Sequence, residues 1–254
     1  MTKSAPPIVV KNLDIAYGDF IIQQNLNFQV QQGEIFVIMG GSGCGKTTVM
    51  RCMSGLKAPS GGQVLIDGAS LWAVDAQERA AISSRFGIVY QSGALWSSMT
   101  LAENIGLPLG EYTDLSPSEI RDLASLKLSL VGLSGFEDYY PSEISGGMRK
   151  RAGVARALAL DPGILFFDEP SAGLDPVTSS HLDDLIVQLR DHIGMTMVLV
   201  THELPSIFDI ADNAVYLDAE TKTMIAVGSP RQLLSETGDP KIQAFLTRNG
   251  KASP

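Results

Sequence analysis

A glycine-rich segment early in the chain has the residue types and spacing of a phosphate-binding loop. Its residues are Gly40, Gly41, Ser42, Gly43, Cys44, Gly45, Lys46 and Thr47, which match G-x-x-x-x-G-K-[ST]. They lie between an apolar, strand-like run at residues 35–39 and a segment with a helical pattern up to residue 53. In this context backbone N–H groups surround phosphate oxygens, the lysine brings positive charge to the β and γ phosphates, and the threonine hydroxyl ligates Mg²⁺. We therefore predict nucleotide binding by this loop.

An acidic pair at the end of another apolar run is the second candidate element. Residues 164–167 are apolar and precede Asp168, Glu169 and Pro170. A nucleotide-bound Mg²⁺ needs a carboxylate to complete its coordination, so Asp168 is the predicted metal ligand and Glu169 the base that orients or deprotonates the attacking water. Adjacent acids are often a solvated turn, but the apolar run and the proline favour a site.

A second glycine-rich turn, Ser145-Gly146-Gly147-Met148, precedes a helical segment at residues 149–160. The N-terminus of that helix is a candidate anion-binding site, although such a turn is weak evidence by itself. The segment also carries Arg149, Lys150, Arg151 and Arg156. We expect these cations either to reinforce the positive potential or to form a solvated face.

The pattern of strands and helices that must position these residues is that of an α/β protein. Strand-like runs occur at residues 8–13, 26–30, 35–39 and 64–66, and strands at 164–167, 196–200 and 214–217 alternate with helices at 176–190 and 204–211. Residues 223–227 form a hairpin with 214–217, and two short helical pieces follow near Gln232 and Ile242. Between residue 91 and about residue 150 the strand pattern fades, and 117–131 suit an amphipathic helix. We predict a parallel sheet with an inserted helical lobe.

Composition and charge exclude several classes of protein. The 254 residues are 44% hydrophobic and 19% charged, enough to bury a substantial core and not the composition of a disordered chain. No apolar run approaches the roughly 20 residues that span a bilayer, and residues 1–10 do not resemble a secretory signal. Only Cys44 and Cys52 are available for disulfides, so we expect the protein in a reducing cytosol. The net charge of −9 opposes broad attraction to nucleic acid or anionic lipid.

These segments occur in the order and spacing of the ATP-binding-cassette (ABC) ATPases, which the chain resembles over nearly its whole length. In the resemblance residues 40–47 match the Walker A motif, 144–148 the signature normally written L-S-G-G-Q, Asp168-Glu169 the Walker B motif and 171–175 the D-loop. Gln91 matches the Q-loop, His202 the switch histidine and Tyr17 an aromatic residue that stacks on adenine. Ile144 and Met148 depart from the signature, and Met148 removes an amide.

The resemblance implies a fold, a reaction and site residues. The fold is a P-loop NTPase (RecA-like) core with a mostly parallel sheet and an N-terminal antiparallel β subdomain, both within 1–91 and 161–254, and an inserted helical signature subdomain at 92–160. The cofactors are ATP and Mg²⁺. The implied catalytic residues are Lys46, Gln91, Glu169 and His202; the implied metal ligands are Thr47, Gln91 and Asp168; and the implied nucleotide contacts are Tyr17, residues 40–47, Thr48, Ser145, Gly146, Gly147 and Asp175. Two copies would face head to tail, so that Ser145, Gly146 and Gly147 of one close the ATP on the other.

Three segments, at residues 58–62, 91–95 and 144–153, are similar to the cassettes of Mla-type (MCE-associated) lipid transporters. This resemblance implies a homodimer on the cytoplasmic side of a bacterial inner membrane, where it would energise a permease that passes phospholipid or related apolar cargo to or from a periplasmic MCE-domain protein. A small accessory subunit is a further expected partner, and nucleic acid is not. Residues 91–99 are the expected dock for the permease.

Two other classes compete with a transporter cassette. A soluble ABC-type ATPase acting on DNA or chromosomes predicts long coiled coils, zinc-binding cysteines or a basic groove, and the sequence has no heptad run, two cysteines and an acidic balance. A P-loop kinase leaves the signature, the D-loop and His202 unexplained.

The end of the chain contains Ile242, Phe245 and Leu246 at helical spacing. Such a short helix needs a packing surface. The pattern leaves open whether that surface belongs to the chain's own core, to a second cassette or to an accessory subunit.

Overall fold

The computed structural model describes residues 5–247. The strands are β1 (Ile8–Tyr17), β2 (Phe20–Val30), β3 (Ile35–Gly40), β4 (Gly61–Ile66), β5 (Ala69–Ser70), β6 (Phe86–Val89), β7 (Ile164–Asp168), β8 (Thr196–Val200), β9 (Asn213–Asp218) and β10 (Thr223–Gly228). The α-helices are α1 (Lys46–Met53), α2 (Ala76–Ser83), α3 (Leu101–Tyr112), α4 (Pro117–Leu130), α5 (Gly146–Ala157), α6 (Pro176–Ile193), α7 (Leu204–Ile210), α8 (Pro230–Glu236) and α9 (Pro240–Thr247). None of the helices within this range is long and apolar enough to cross a bilayer.

Two sheets organise the fold. The larger has the order β10-β9-β3-β8-β7-β6, and all its neighbours are parallel except the β9–β10 hairpin. The smaller is antiparallel, with the order β2-β1-β4-β5. The predicted α/β class with an N-terminal antiparallel sheet is confirmed.

The central strands are buried on both faces, as parallel strands covered by helices must be. Every residue of β3 and β8 is buried. Successive β3 side chains alternate between two hydrophobic clusters: Val37 packs in the cluster formed with the helices, whereas Phe36 and Ile38 pack in the cluster shared with the antiparallel sheet. The core therefore has two layers, one on each side of the large sheet.

The helices between β6 and β7 begin at strong sequence signals. Thr100 and Glu103 form a capping box at α3, and Ser116 and Glu119 form one at α4. The helical segment predicted at residues 117–131 is thus confirmed as α4, and the one predicted at 149–160 begins three residues earlier, as α5. The sequence analysis did not identify α2, α3 or β6.

The last helix packs on the chain's own core. Ile242 is fully buried and Leu246 is 3% exposed, and both belong to the cluster that covers one face of the large sheet. The ring of Phe245 meets Tyr216 of β9 edge to face, with centroids 5.4 Å apart. Lys241 donates hydrogen bonds to Asp218 and Glu220, each over 2.7 Å. Of the surfaces that the sequence left open, the internal one is occupied in the monomer, whereas residues 248–254 lie outside the described range.

Deletion of residues 239–254 should therefore destabilise the monomer. The free energy of unfolding should fall by roughly 4–6 kcal/mol, because the deletion removes the buried side chains of Ile242 and Leu246 and the ring contact of Phe245. Thermal unfolding measures the effect. Deletion of residues 248–254 alone is the matched control, and we expect it to leave the unfolding midpoint unchanged. A monomer as stable without residues 239–254 as with them would show that α9 contributes nothing to the core.

Candidate functional site

The predicted site residues follow the carboxyl ends of four parallel strands. Residues 40–47 follow β3, Asp168 ends β7, His202 comes two residues after β8, and Gln91 comes two residues after β6. Registers place these ends side by side: Ile38 pairs with Val200, Val200 with Asp168, and Phe167 with Val89. In open α/β sheets the carboxyl edge is where ligands bind, so the topology brings together residues that are far apart in sequence.

The loop between β3 and α1 depends on glycine at two positions. Gly40 has φ +147°, and a Cβ there would lie 2.3 Å from the carbonyl oxygen of Leu217. Gly45 has φ +94°, and a Cβ there would lie 2.4 Å from the Ile22 side chain. The loop therefore rests against β9 on one side and β2 on the other, and only glycine permits both approaches.

Lys46 lies over the loop that precedes it. Its ammonium donates to the carbonyl oxygens of Gly40, at 3.0 Å, and Gly41, at 3.1 Å. The acceptors are neutral carbonyls, and a polyphosphate would replace them with anionic oxygens that bind an ammonium more strongly. Lys46 also begins α1, so the positive end of that helix dipole adds to its charge. Thr48 is the third residue of α1, in the same first turn.

The two predicted metal ligands touch each other. The Thr47 hydroxyl donates to Asp168 Oδ1 over 2.8 Å, which joins α1 to the end of β7. A hydroxyl and a carboxylate oxygen side by side are hard ligands of the kind that Mg²⁺ prefers, and its octahedral shell would take further oxygens from phosphate and water. These residues fit a nucleotide-bound Mg²⁺. Gln91 is exposed and lines a cavity of about 560 Å³ together with Asp168 and Gly146.

Glu169 and His202 form a pair beside the metal ligands. His202 Nδ1 lies 2.9 Å from the Glu169 carboxylate and hydrogen bonds to Oε1. A carboxylate can only accept, so Nδ1 carries the proton. Glu169 Oε2 is buried and also lies 2.9 Å from Nδ1, but it accepts no hydrogen bond from the described residues. A buried carboxylate oxygen that accepts no hydrogen bond is available to a bound water.

Backbone strain is present at the same residue. Glu169 has φ +49°, in the left-handed region that a non-glycine residue adopts at a cost of about 1–3 kcal/mol. Its N–H donates to the carbonyl of Val200 over 2.8 Å, which ties the end of β7 to the end of β8. This bond places Glu169 opposite the loop that carries His202.

Tyr17 ends β1 and is 53% exposed, as an adenine-stacking ring must be. Sequence reasoning missed the partner of this ring. The Lys57 ammonium lies 4.2 Å from the ring centroid and donates to the carbonyl oxygens of Ala16 and Ala58. The only sequence signal for Lys57 is its position after the turn that follows α1.

The signature turn caps α5. Ser145 is exposed and its hydroxyl accepts from the N–H of Met148 over 3.2 Å, while Gly146 and Gly147 form the first turn of the helix. A Cβ at Gly147 would lie 2.4 Å from the Thr178 methyl group. Ile144 is buried, so the apolar side chain at this signature position packs in the core.

The four cations that follow the signature form neither a solvated face nor a free phosphate site. Each guanidinium or ammonium donates to backbone carbonyls. Arg149 bonds Ile144, Lys150 bonds Pro170 and Ala172, Arg151 bonds Val131, and Arg156 bonds Ala94. Burial lowers the pKa of Lys150, and the charge of Glu169 opposes that shift. These bonds connect α5 to the loops around the site, and whether the cations also add to its positive potential stays a prediction.

Asp175 caps α6. Its carboxylate accepts from the N–H groups of Val177 and Thr178, both at 3.1 Å, and from the Thr178 hydroxyl. These bonds from Thr178 and Val177 lower the pKa of Asp175. The residue therefore holds the D-loop against the start of α6.

Comparison with known proteins identifies the family. A family model described as "ABC transporter" matches residues 23–172. The chain belongs to the ABC transporter family. As an ABC cassette it is an ATP-binding subunit with ATPase activity, and the expected resemblance is confirmed.

Two curated relatives and one solved structure are similar to this cassette. The chain is 40% identical to an intermembrane phospholipid transport system ATP-binding protein, MlaF, of Haemophilus influenzae, over 94% of this chain and 89% of that protein. It is 41% identical to a probable ribonucleotide transport ATP-binding protein, mkl, of Mycobacterium leprae, over 96% of this chain and 69% of that one. The dimeric cassette MJ0796, bound to ADP and Pi in a post-hydrolysis state, superposes with a TM-score of 0.79 at 30% identity, covering 87% and 98% of the two chains.

We expect Glu169→Gln to separate binding from hydrolysis in this ABC cassette. The amide preserves the shape of the side chain but cannot accept a proton, so hydrolysis should slow by at least about a hundredfold while ATP affinity is retained. Steady-state phosphate release and equilibrium ATP binding measure the two quantities. Glu236→Gln, at the exposed end of α8, is the matched control. Near-normal turnover by Glu169→Gln would remove Glu169 from the role of base.

Proposed function

We propose that this chain hydrolyses ATP between two copies of itself to drive an inner-membrane permease that moves phospholipid or a related apolar cargo. The observation that carries the catalytic part is the contact between Thr47 and Asp168 beside the Glu169–His202 pair. That contact joins the loop after β3 to the strand end that carries the acidic residues. The nucleotide phosphates would lie along residues 40–47, and the adenine would stack on Tyr17.

The proposed reaction is transfer of the γ-phosphoryl group to water. Glu169 Oε2, which accepts no hydrogen bond from the described residues, takes a proton from the attacking water. The water oxygen forms a bond to the γ phosphorus as the bond from that phosphorus to the bridging oxygen breaks. Lys46 and the loop N–H groups stabilise the charge that develops on the phosphate oxygens. Mg²⁺, held by Thr47, Asp168 and Gln91, would neutralise charge on the β and γ phosphates when bound. His202 holds the Glu169 carboxylate through Nδ1 and is the proposed γ-phosphate sensor.

A second copy completes the proposed site. Ser145 is exposed, and the N-terminus of α5 presents the N–H groups of a glycine-rich turn. In a head-to-tail dimer these groups would meet the γ-phosphate bound by the partner, where a helix N-terminus favours an anion. The dimeric form of MJ0796 supports this arrangement. We further propose the subdomain division at residues 92–160, which contain α3, α4 and α5.

The face proposed to dock the permease lies beside the Q-loop. An apolar groove of about 480 Å³ between β6, α3 and α5 is lined by Phe86, Leu107, Pro108, Tyr112 and Leu160. The Arg156 guanidinium bonds the carbonyl of Ala94 and so joins α5 to the segment that follows Gln91. Movement of a permease segment in this groove would therefore reach the segment after Gln91 through Arg156.

Trp96 is the most exposed apolar residue of the predicted dock. Its ring is 59% exposed, whereas its backbone is fixed by Asn104, which is fully buried and bonds both the N–H and the carbonyl of Trp96. Leu95 instead packs against the core. An exposed indole on a rigid backbone is typical of an anchor in a protein interface.

The cargo is proposed from the relatives. The MlaF relative is named for intermembrane phospholipid transport and the mkl relative for ribonucleotide transport. MlaF matches the chain over 89% of its own length and mkl over 69%, so the lipid assignment is the one we propose. A periplasmic MCE-domain protein and a small accessory subunit belong to the same proposal, as does location on the cytoplasmic side of the membrane.

We expect Trp96→Glu to release the chain from membranes that contain its permease. A carboxylate at the centre of an apolar interface opposes docking by at least about 2 kcal/mol, whereas basal ATPase of the isolated chain should be unchanged. Ile193→Glu, a 54% exposed apolar residue at the far end of α6, is the matched control and should leave binding intact. Co-sedimentation with membranes gives the result. Wild-type binding to membranes stripped of the permease would contradict recruitment through a protein.

A further inference from the structure

A fully buried glutamine braces the phosphate-binding loop from the antiparallel sheet. Gln23 lies in β2, and its Nε2 donates to the carbonyl oxygen of Cys44 over 2.8 Å and to that of Asp218 over 3.0 Å. Both neighbours are carbonyl oxygens, which only accept, so the NH₂ end of the amide must face them. The side chain thus joins three elements: β2, the loop before α1, and the end of β9.

The bond to Cys44 determines where the next N–H group points. The carbonyl of Cys44 and the N–H of Gly45 belong to one planar trans peptide, in which they point in opposite directions. Because Gln23 holds the carbonyl on the β2 side, the Gly45 N–H is directed away from β2. Gly45 also packs closely on β2, since a Cβ there would lie 2.4 Å from the Ile22 methyl group.

The other end of the brace is also fixed. The Asp218 carboxylate accepts from the N–H and the hydroxyl of Thr221, and from Lys241 of α9. Gly40 also packs on β9, against the carbonyl of Leu217. The carbonyl acceptor of Gln23 therefore belongs to a strand end that is tied to Thr221 and to α9.

Core packing alone does not account for an amide at this position. Gln23 Oε1 is buried and has no hydrogen-bond partner among the described residues. A buried unsatisfied oxygen is unfavourable, and an apolar side chain of the same length would avoid it. The neighbours Ile15 and Leu26 of the same sheet are both apolar. The donor end of the amide, rather than its volume, is what the site uses.

We propose that Gln23 is a positioning residue for phosphate binding, which holds the Gly45 N–H in the orientation that receives a phosphate oxygen. The inference rests on the proposed binding of phosphate by residues 40–47. Gln23 does not touch the nucleotide and acts through the peptide between Cys44 and Gly45. Its contribution is confined to the phosphate end of the ligand.

Gln23→Met tests this role, because methionine keeps the length of the side chain and removes the donor. We expect the affinity for ADP and for inorganic tripolyphosphate to fall by about tenfold. The unfolding midpoint of the nucleotide-free protein should fall only modestly, because the carbonyls of Cys44 and Asp218 lose a donor while the unpaired Oε1 is removed. Gln24→Met is the matched control, since Gln24 is the next residue of β2 and is exposed. Gln23→Leu is the second variant. For each variant we also measure how far ADP raises the unfolding midpoint above that of the same variant without nucleotide.

Three outcomes separate the possibilities. Weaker tripolyphosphate binding by a variant that is folded at the temperature of the measurement supports the proposal. Wild-type tripolyphosphate affinity in Gln23→Met or Gln23→Leu, whether or not stability falls, overturns it and leaves Gln23 a packing residue. Lys46→Ala is measured in parallel: if that variant also binds tripolyphosphate normally, the assignment of residues 40–47 as the phosphate loop fails as well.

Discussion

Binding a polyphosphate to a chain of formal net charge −9 requires positive potential that is concentrated at one place. The fold meets this electrostatic constraint mainly with backbone dipoles. Residues 40–47 form the loop after β3, whose N–H groups would receive phosphate oxygens, and α1 begins at Lys46, whose ammonium lies over the loop. The close packing of Gly40 on β9 and of Gly45 on β2 follows from the same requirement, because the loop must be held closely to keep its N–H groups convergent.

The remaining cations near the site donate hydrogen bonds to backbone carbonyls of its loops. Lys150 and Arg149 bond carbonyls of the D-loop and of the signature turn, and Arg156 bonds the segment after the Q-loop. These contacts connect the three loops to α5. Motion of α5 is thereby linked to the surroundings of Glu169, whose charge acts on Lys150. The loops of the site are thus connected through one helix, so a movement of that helix would move them together.

Sequence reasoning recovers the residues that carry local signals and misses those defined by tertiary contacts. The loop at 40–47, the apolar run before Asp168 and the caps of α6 are visible in the sequence, because strand ends and helix starts have composition of their own. β6 is only four residues long and contains Gly87, where a Cβ would lie 2.3 Å from the carbonyl of Ala157. That glycine is explained by the approach of α5, which no local pattern contains.

The same limit applies to individual side chains. The four cations after the signature read as a basic helix face, and their acceptors are carbonyls up to 62 residues away in the chain. Gln23 is buried between the half-buried Ile22 and the exposed Gln24 of β2, but its acceptors lie on two other elements. Asp168 pairs with Val200, and this register places Glu169 next to His202. The two residues are close because β7 and β8 are adjacent in the sheet, which the sequence does not show.

We propose that each catalytic site combines the phosphate loop of one copy with the signature of another. Mixing a Ser145→Arg chain with a Lys46→Ala chain, each inactive alone, tests this shared site most directly, since every heterodimer then contains one intact composite site. We expect ATPase activity to recover to about a quarter of the wild-type value after random exchange of subunits in a symmetric dimer. Lys46→Ala mixed with a chain carrying both substitutions is the control, because its heterodimers contain no intact site. A mixture that stays as inactive as this control would contradict the shared site.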